Sequence, residues 1–252
     1  MNNKEEMLKC KLHYYSERGM VNALCYSLYG YKYARIHFLK TIKKKDGNRL
    51  LSDEKINGIK GFDIFNEFSF GGFGDPDLIL KLTYDNDASM LFFIEAKVGK
   101  YSQSASKAIE DGYKNNASKI NFQLNLKKRF IKVIQDADEI ISPKINESDY
   151  DRKLKKQMLI RYINKIIVGN TKTDNIYYVS MTSDKDNPYK DAKLPFENDD
   201  DHLCYILYDS FYGQEKYEPN YKGIRSECVL YGNTYKMFED AYKLANNEEV
   251  EE

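Results

Sequence analysis

The feature that most constrains this chain is the run Met90-Leu91-Phe92-Phe93-Ile94-Glu95-Ala96-Lys97. Side chains of a strand alternate between faces with period two, so Leu91, Phe93, Glu95 and Lys97 share one face and Met90, Phe92, Ile94 and Ala96 the other. Both faces are apolar up to the last few residues, which is the pattern of a central strand buried on both sides. Charged residues at the end of such a strand are costly unless they are paired or metal-bound, so Glu95 and Lys97 demand a partner.

The preceding segment supplies one. Gly74-Asp75-Pro76-Asp77 opens the strand-like run Asp77 to Tyr84, and Asp85 to Ser89 reads as the turn into the central strand. A hairpin centred on residue 86 sets Asp77 opposite Glu95, and one centred on 87 sets it opposite Lys97. In either register the three side chains lie on one face. A shift of register would bring Asp75 forward instead. Two carboxylates are hard oxygen ligands suited to magnesium together with phosphate and water. An adjacent ammonium can orient an attacking water and offset charge on a phosphorane-like transition state. An isolated Glu-x-Lys would read as an ordinary salt bridge, because such pairs are common. The Pro-Asp at matching register, the glycines before it and the long helical region after it favour a phosphodiesterase site.

These half-motifs, Pro76-Asp77 and Glu95-Ala96-Lys97, resemble those of the PD-(D/E)xK phosphodiesterase superfamily, which has the restriction-endonuclease-like fold. The resemblance extends over the order of elements from the N-terminal helices to about Asp209. It implies a mixed α/β (α+β) core, a central mixed sheet flanked by helices. It also implies a magnesium-dependent nuclease, with manganese as a substitute ion, acting as an endonuclease on DNA in restriction, defence or repair. Asp77, Glu95 and the carbonyl of Ala96 would hold the metal and Lys97 would assist the water. Many members carry a Glu on the first core helix, and Glu17 resembles it; Glu17 also reads as an acidic residue favoured near a helix N-terminus. A Gln on the helix after Glu-x-Lys often faces the scissile phosphate, and Gln123 is the candidate, with Gln103 as a competitor. Many enzymes of this fold dimerise, so a homodimer is an expectation from resemblance. The alternative function is a catalytically silent member of the fold that binds nucleic acid or a protein.

The remaining elements follow from periodicity. Helix is expected from Lys4 to about Tyr31, with a break at Gly19 and a stripe of Val21, Leu24, Cys25 and Leu28. A strand is expected over Phe62 to Phe70. Helix follows over Ser102 to Ala137, with Ile120, Leu124, Phe130 or Ile131, and Ile134 inward, and again over Asp151 to Ile166. Strands are expected at Asn175 to Met181 and Leu203 to Asp209, and a last helix at Tyr235 to Ala245. No repeat or linker divides the 252 residues, so residues 1–252 read as one domain with helical additions, ending in a frayed acidic tail at 247–252.

Charge adds a limit. Lys plus Arg number 39 and Asp plus Glu 39, which excludes histone-like binding by bulk positive charge. The neutral sum hides a basic stretch at residues 32–60 and another at 119–165. Lys43, Lys44, Lys45 and Arg49, with Lys127, Lys128 and Arg129, are therefore the expected phosphate-backbone contacts. Gly71, Gly72 and Gly74 would let backbone approach a phosphate, and equally suit an ordinary strand connection. The 22 tyrosines receive no stacking role, since the chain is also rich in Lys, Asn and Ile. Cys10, Cys25, Cys204 and Cys228 never form CxxC and read as reduced structural thiols; His13, His37 and His202 match no metal-ligand spacing. No run of about 18 apolar residues and no apolar leader core is present, so a cytoplasmic protein without a membrane partner is expected.

Overall fold

The computed structural model describes residues 17–30, 32–66, 68, 70, 75–97, 120–135, 161–182, 186–189, 201–208 and 210. The helical readings at 4–16, 102–119, 151–160 and 235–245, the acidic tail, the glycines at 71, 72 and 74, Gln103, Cys10, Cys228 and His13 lie outside these residues.

Six strands form one mixed, open sheet, β1 (Lys43–Lys44), β2 (Ile59–Asn66), β3 (Leu78–Tyr84), β4 (Ser89–Ala96), β5 (Ile176–Thr182) and β6 (Leu203–Leu207), in the order β1-β6-β5-β4-β3-β2. Strands β2, β3 and β4 are an antiparallel meander; β5 then pairs parallel to β4 and β6 parallel to β5, and β1 closes the far edge antiparallel to β6. Among the described residues they are accompanied by the helices α1 (Glu17–Gly30), α2 (Lys32–Thr41), α3 (Asp53–Asn57) and α4 (Ile120–Gln135).

The two faces of β4 feed two separate cores. Met90, Phe92, Ile94 and Ala96 pack with Val21, Leu24 and Leu28 of α1, Phe38 and Leu39 of α2 and Ile56 of α3. Leu91 and Phe93 pack with Ile120, Leu124, Phe130, Ile131 and Ile134 of α4 and with Ile163, Ile167 and Val168 around the π-helical turn Asn164–Val168. Every residue of β4 is buried, as its double-sided apolar pattern requires. A crossover must link β4 to the parallel β5, and α4 lies within it.

Helix α1 runs through Gly19 without the expected break. Its C-terminal carbonyls are satisfied by α2: the Arg35 guanidinium donates to Leu28 O at 2.6 Å and Tyr29 O at 2.9 Å. Ser52 caps α3 by accepting from Lys55 N at 3.2 Å, and Asp53 binds Arg49 and Lys40. Among the described residues no helix is long and apolar enough to cross a membrane.

Candidate functional site

The β3–β4 hairpin decides the register. Leu78 pairs with Ile94 and Leu82 with Met90, which centres the turn on residue 86. Asp77, one residue before β3, thus stands across from Glu95. Its Oδ2 accepts a hydrogen bond from Ala96 N at 2.8 Å. Asp75 is otherwise engaged, its Oδ1 accepting from Phe70 N at 2.9 Å. The first brace holds Asp77 against the Glu-x-Lys segment, and the second holds the chain that leads to it. Lys97 follows β4 directly and donates its backbone N–H to Met181 O at 2.9 Å, which fixes the end of β4 against β5.

Glu95 projects onto the α4 face, with both its side chain and that of Lys127 wholly buried and Lys127 Nζ 2.5 Å from Glu95 Oε1. The contact is at ion-pair distance without the alignment of a hydrogen bond, and Glu95 Oε2 has no hydrogen-bond partner among the described residues. Burial pushes the Glu95 carboxyl up to about 8, and the negative charge of Asp77 adds to this; Lys127 and Lys97 pull it down. Asp77, Lys97 and Lys127 therefore all act on the same carboxylate.

Lys127 was expected among surface phosphate contacts, and its placement corrects that. Residues 120, 124, 127, 131 and 134 form the inward stripe of α4, and four of the five are Ile or Leu. The signal was available in the spacing, since a lysine on an apolar stripe at three- and four-residue intervals must find an anion inside. Gln123 lies one turn before Lys127 on α4, and its Oε1 is buried with no hydrogen-bond partner among the described residues. Glu17 is the first residue of α1; the direction of its side chain is outside the described set.

The other basic candidates lie elsewhere. Lys44 and Lys45 line a cavity of about 880 Å³ with Asp46, Tyr177 and His202. Tyr177 pairs with Phe92, three residues before Glu95 on β4, so this cavity is about 10 Å back along the strands from the carboxylates. Lys43 is on edge strand β1, and Arg49 is bound to Asp53. Lys128 is half-buried and Arg129 exposed on α4.

Sequence reasoning also passed over a hydroxyl network behind the site. Ser180, the β5 partner of Glu95, shares a 2.5 Å hydrogen bond with the Tyr189 hydroxyl, which donates to Cys204 O at 3.0 Å. It ties β5 and β6 together under the carboxylates.

Comparison with known protein families, curated proteins and solved structures finds no match to the chain.

The chemistry of the donors bears on a divalent cation. Among the described residues no three Asp, Glu, His or Cys side chains converge on one point. The available set is two carboxylates and the Ala96 carbonyl. That suits magnesium, which keeps several waters and binds through one or two carboxylates plus phosphate. The orphaned Glu95 Oε2 is an acceptor still to be satisfied, so the residues fit such an ion.

Proposed function

We propose that the chain is a magnesium-dependent nuclease of the PD-(D/E)xK type that hydrolyses phosphodiester bonds, with DNA as the substrate. The observation that carries this reading is the meeting of Asp77, Glu95 and Lys97 at one end of the buried strand β4, with Asp77 bonded to Ala96 N. An antiparallel meander passing into two parallel strands, flanked by helices, supports a restriction-endonuclease-like core.

Magnesium, or manganese in its place, would be held by Asp77, Glu95 and the Ala96 carbonyl, and supplies Lewis-acid stabilisation of the phosphate and a more acidic water. Asp77 and Glu95 set the anionic floor of the site. The Lys97 ammonium, beside that floor, orients the attacking water and offsets the charge that grows on the phosphoryl oxygens. Gln123, with its unsatisfied amide oxygen on the same helix as Lys127, is suited to accept from that water. The fixed braces on Asp77 and Lys97 keep these groups in position without reorganisation during the reaction.

The test is cleavage of plasmid DNA, single-stranded DNA and RNA with magnesium or manganese, comparing the wild type with Asp77→Ala and Lys97→Ala. Loss of cleavage in both variants is expected, and nicking that survives both defeats the mechanism. A second reading, a silent module that binds nucleic acid or protein, is favoured by one observation: Glu95 already has Lys127 against it. Binding of DNA without cleavage under any divalent ion would select it.

A further inference from the structure

Ser180 is a wholly buried hydroxyl on β5, directly beside Glu95 in the parallel pairing of β5 with β4. The two side chains share the α4 face, because Ile176 and Tyr178, four and two residues earlier on β5, join Leu91 and Phe93 in the α4 core. A buried hydroxyl in an apolar layer is costly unless its hydrogen-bonding capacity is used, and alanine would stand here without that cost.

The polarity of the hydroxyl network follows from its far end. Cys204 O is a carbonyl and can only accept, so the Tyr189 hydroxyl spends its one proton there, at 3.0 Å. The 2.5 Å contact between Tyr189 and Ser180 then has Ser180 Oγ as its donor. With that proton committed, Ser180 can only accept from a further partner. The ionised Glu95 carboxylate beside it also only accepts, and neither Glu95 oxygen nor Lys127 Nζ hydrogen-bonds to Ser180. The group that suits a lone acceptor next to a carboxylate is a strong O–H donor, and magnesium or manganese bound through carboxylates brings several polarised waters of that kind.

We propose that Ser180 is a positioning residue for the metal: its oxygen accepts a hydrogen bond from a water carried by the divalent ion assigned to Asp77 and Glu95, and Tyr189 fixes Ser180 as the acceptor. This rests on the nuclease reading above. Such outer contacts orient what the direct ligands hold and tune its affinity. A network that only tied β5 to β6 would contribute to stability and leave the affinity of the folded chain for the ion unchanged. Tyr189 acts through Ser180: without its hydroxyl, Ser180 recovers a free proton and can turn it on the Glu95 carboxylate, in competition with the ion.

The experiment is a calorimetric Mn²⁺ titration of the full chain at fixed pH, with urea unfolding of each variant as the check on folding. Ser180→Thr and Ser180→Val have the same shape as each other and differ in the hydroxyl, so any cost of the added methyl is common to both. The threonine variant is expected to bind Mn²⁺ close to the wild type, and the valine variant about tenfold or more weakly than the threonine one. Tyr189→Phe is expected to weaken Mn²⁺ binding as well. Equal affinity in the folded threonine and valine variants overturns the inference and leaves the nuclease reading intact, and an unchanged affinity in Tyr189→Phe overturns the polarity assigned to Ser180. If the two branched variants do not unfold cooperatively, Ser180→Ala against the wild type decides, with equal affinity again overturning the inference. No Mn²⁺ binding by the wild type, or binding indifferent to Asp77→Asn, overturns the nuclease reading itself.

Discussion

The Asp77 carboxylate is held by the backbone N–H of Ala96, the residue between Glu95 and Lys97, at 2.8 Å. One hydrogen bond thus joins the two half-motifs across the hairpin. Asp77→Ala removes the carboxylate proposed to hold the metal together with this bond, and Asp77→Asn keeps an acceptor for Ala96 N while removing the charge. Cleavage should fall at least about a hundredfold in both, since ligand loss forfeits several kcal/mol of charge stabilisation. Stability should separate them: about 1 kcal/mol lost in the alanine variant and near wild type in the asparagine variant. Equal stability loss with retained cleavage would make Asp77 a hairpin brace and nothing more.

Glu95 gives a pH signature of opposite sign to that of a surface acid. Burial holds its carboxyl at about 8, far above the ordinary glutamate value of 4.5. The folded chain therefore favours the protonated form, and this contribution to stability is complete below about pH 4.5. It is lost progressively as pH rises to about 8, because the unfolded chain releases the proton first. Urea unfolding of the metal-free chain should show the decline over that window, and Glu95→Gln should flatten it. A divalent ion, which needs the ionised carboxylate, should stabilise the wild type more at pH 8 than at pH 6. A profile unchanged by Glu95→Gln would mean that Glu95 titrates normally.

Strand β4 was legible because strand parity is local: residues 91 to 97 need no distant information to sort themselves into two faces, and the two cores follow that sorting. The hairpin left two registers open, which the pairing of Leu78 with Ile94 resolves in favour of a turn centred on residue 86. Inward residues of α4 were equally readable, with both Phe130 and Ile131 buried. Lys127 escaped because charge was read along the chain as a run with Lys128 and Arg129, while helical geometry sorts residues by angle. Helix α2 was missed for a related reason. Lys32, Arg35 and Lys40 advertise a solvated stretch, and its burial rests on Ala34, Phe38 and Leu39 meeting α1 and the sheet. Strand β1 has two residues and is defined only by its pairing with β6, a long-range contact with no local pattern. Tyr189 is in a turn, where nothing local announces a hydroxyl bridge to Ser180 and Cys204.

The second core should be sensitive at Phe130. Its ring stacks on Phe70 at 4.4 Å, and Phe70 N is the donor that holds Asp75. Phe130→Ala should cost about 3–5 kcal/mol, and Phe130→Leu much less, because the cavity that remains is smaller. Cleavage per folded molecule should also fall in the alanine variant, since the support of the segment entering Asp77 is loosened. Chemical unfolding joined to an activity assay normalised to folded protein checks both; undiminished activity per folded molecule would free the site from the Phe70–Phe130 stack.

Cys204 should behave as a core residue and not as a reactive thiol. It is fully buried in β6, and burial pushes its thiol up to about 12, against a weaker opposing pull from Lys44. The thiolate is the nucleophile in alkylation, so at pH 8 the folded chain presents almost none of it. Brief iodoacetamide treatment followed by peptide mass spectrometry should leave Cys204 unmodified in the native protein and modify it fully in urea. Cys25 on α1 is partly exposed and should label first of the two. Magnesium should slow Cys204 labelling further under mild destabilisation, because an ion bound to the native state lowers the population of unfolded chains that expose the thiol. Rapid native labelling of Cys204 would contradict the packing of β6 against β5 on which the sheet behind the carboxylates depends.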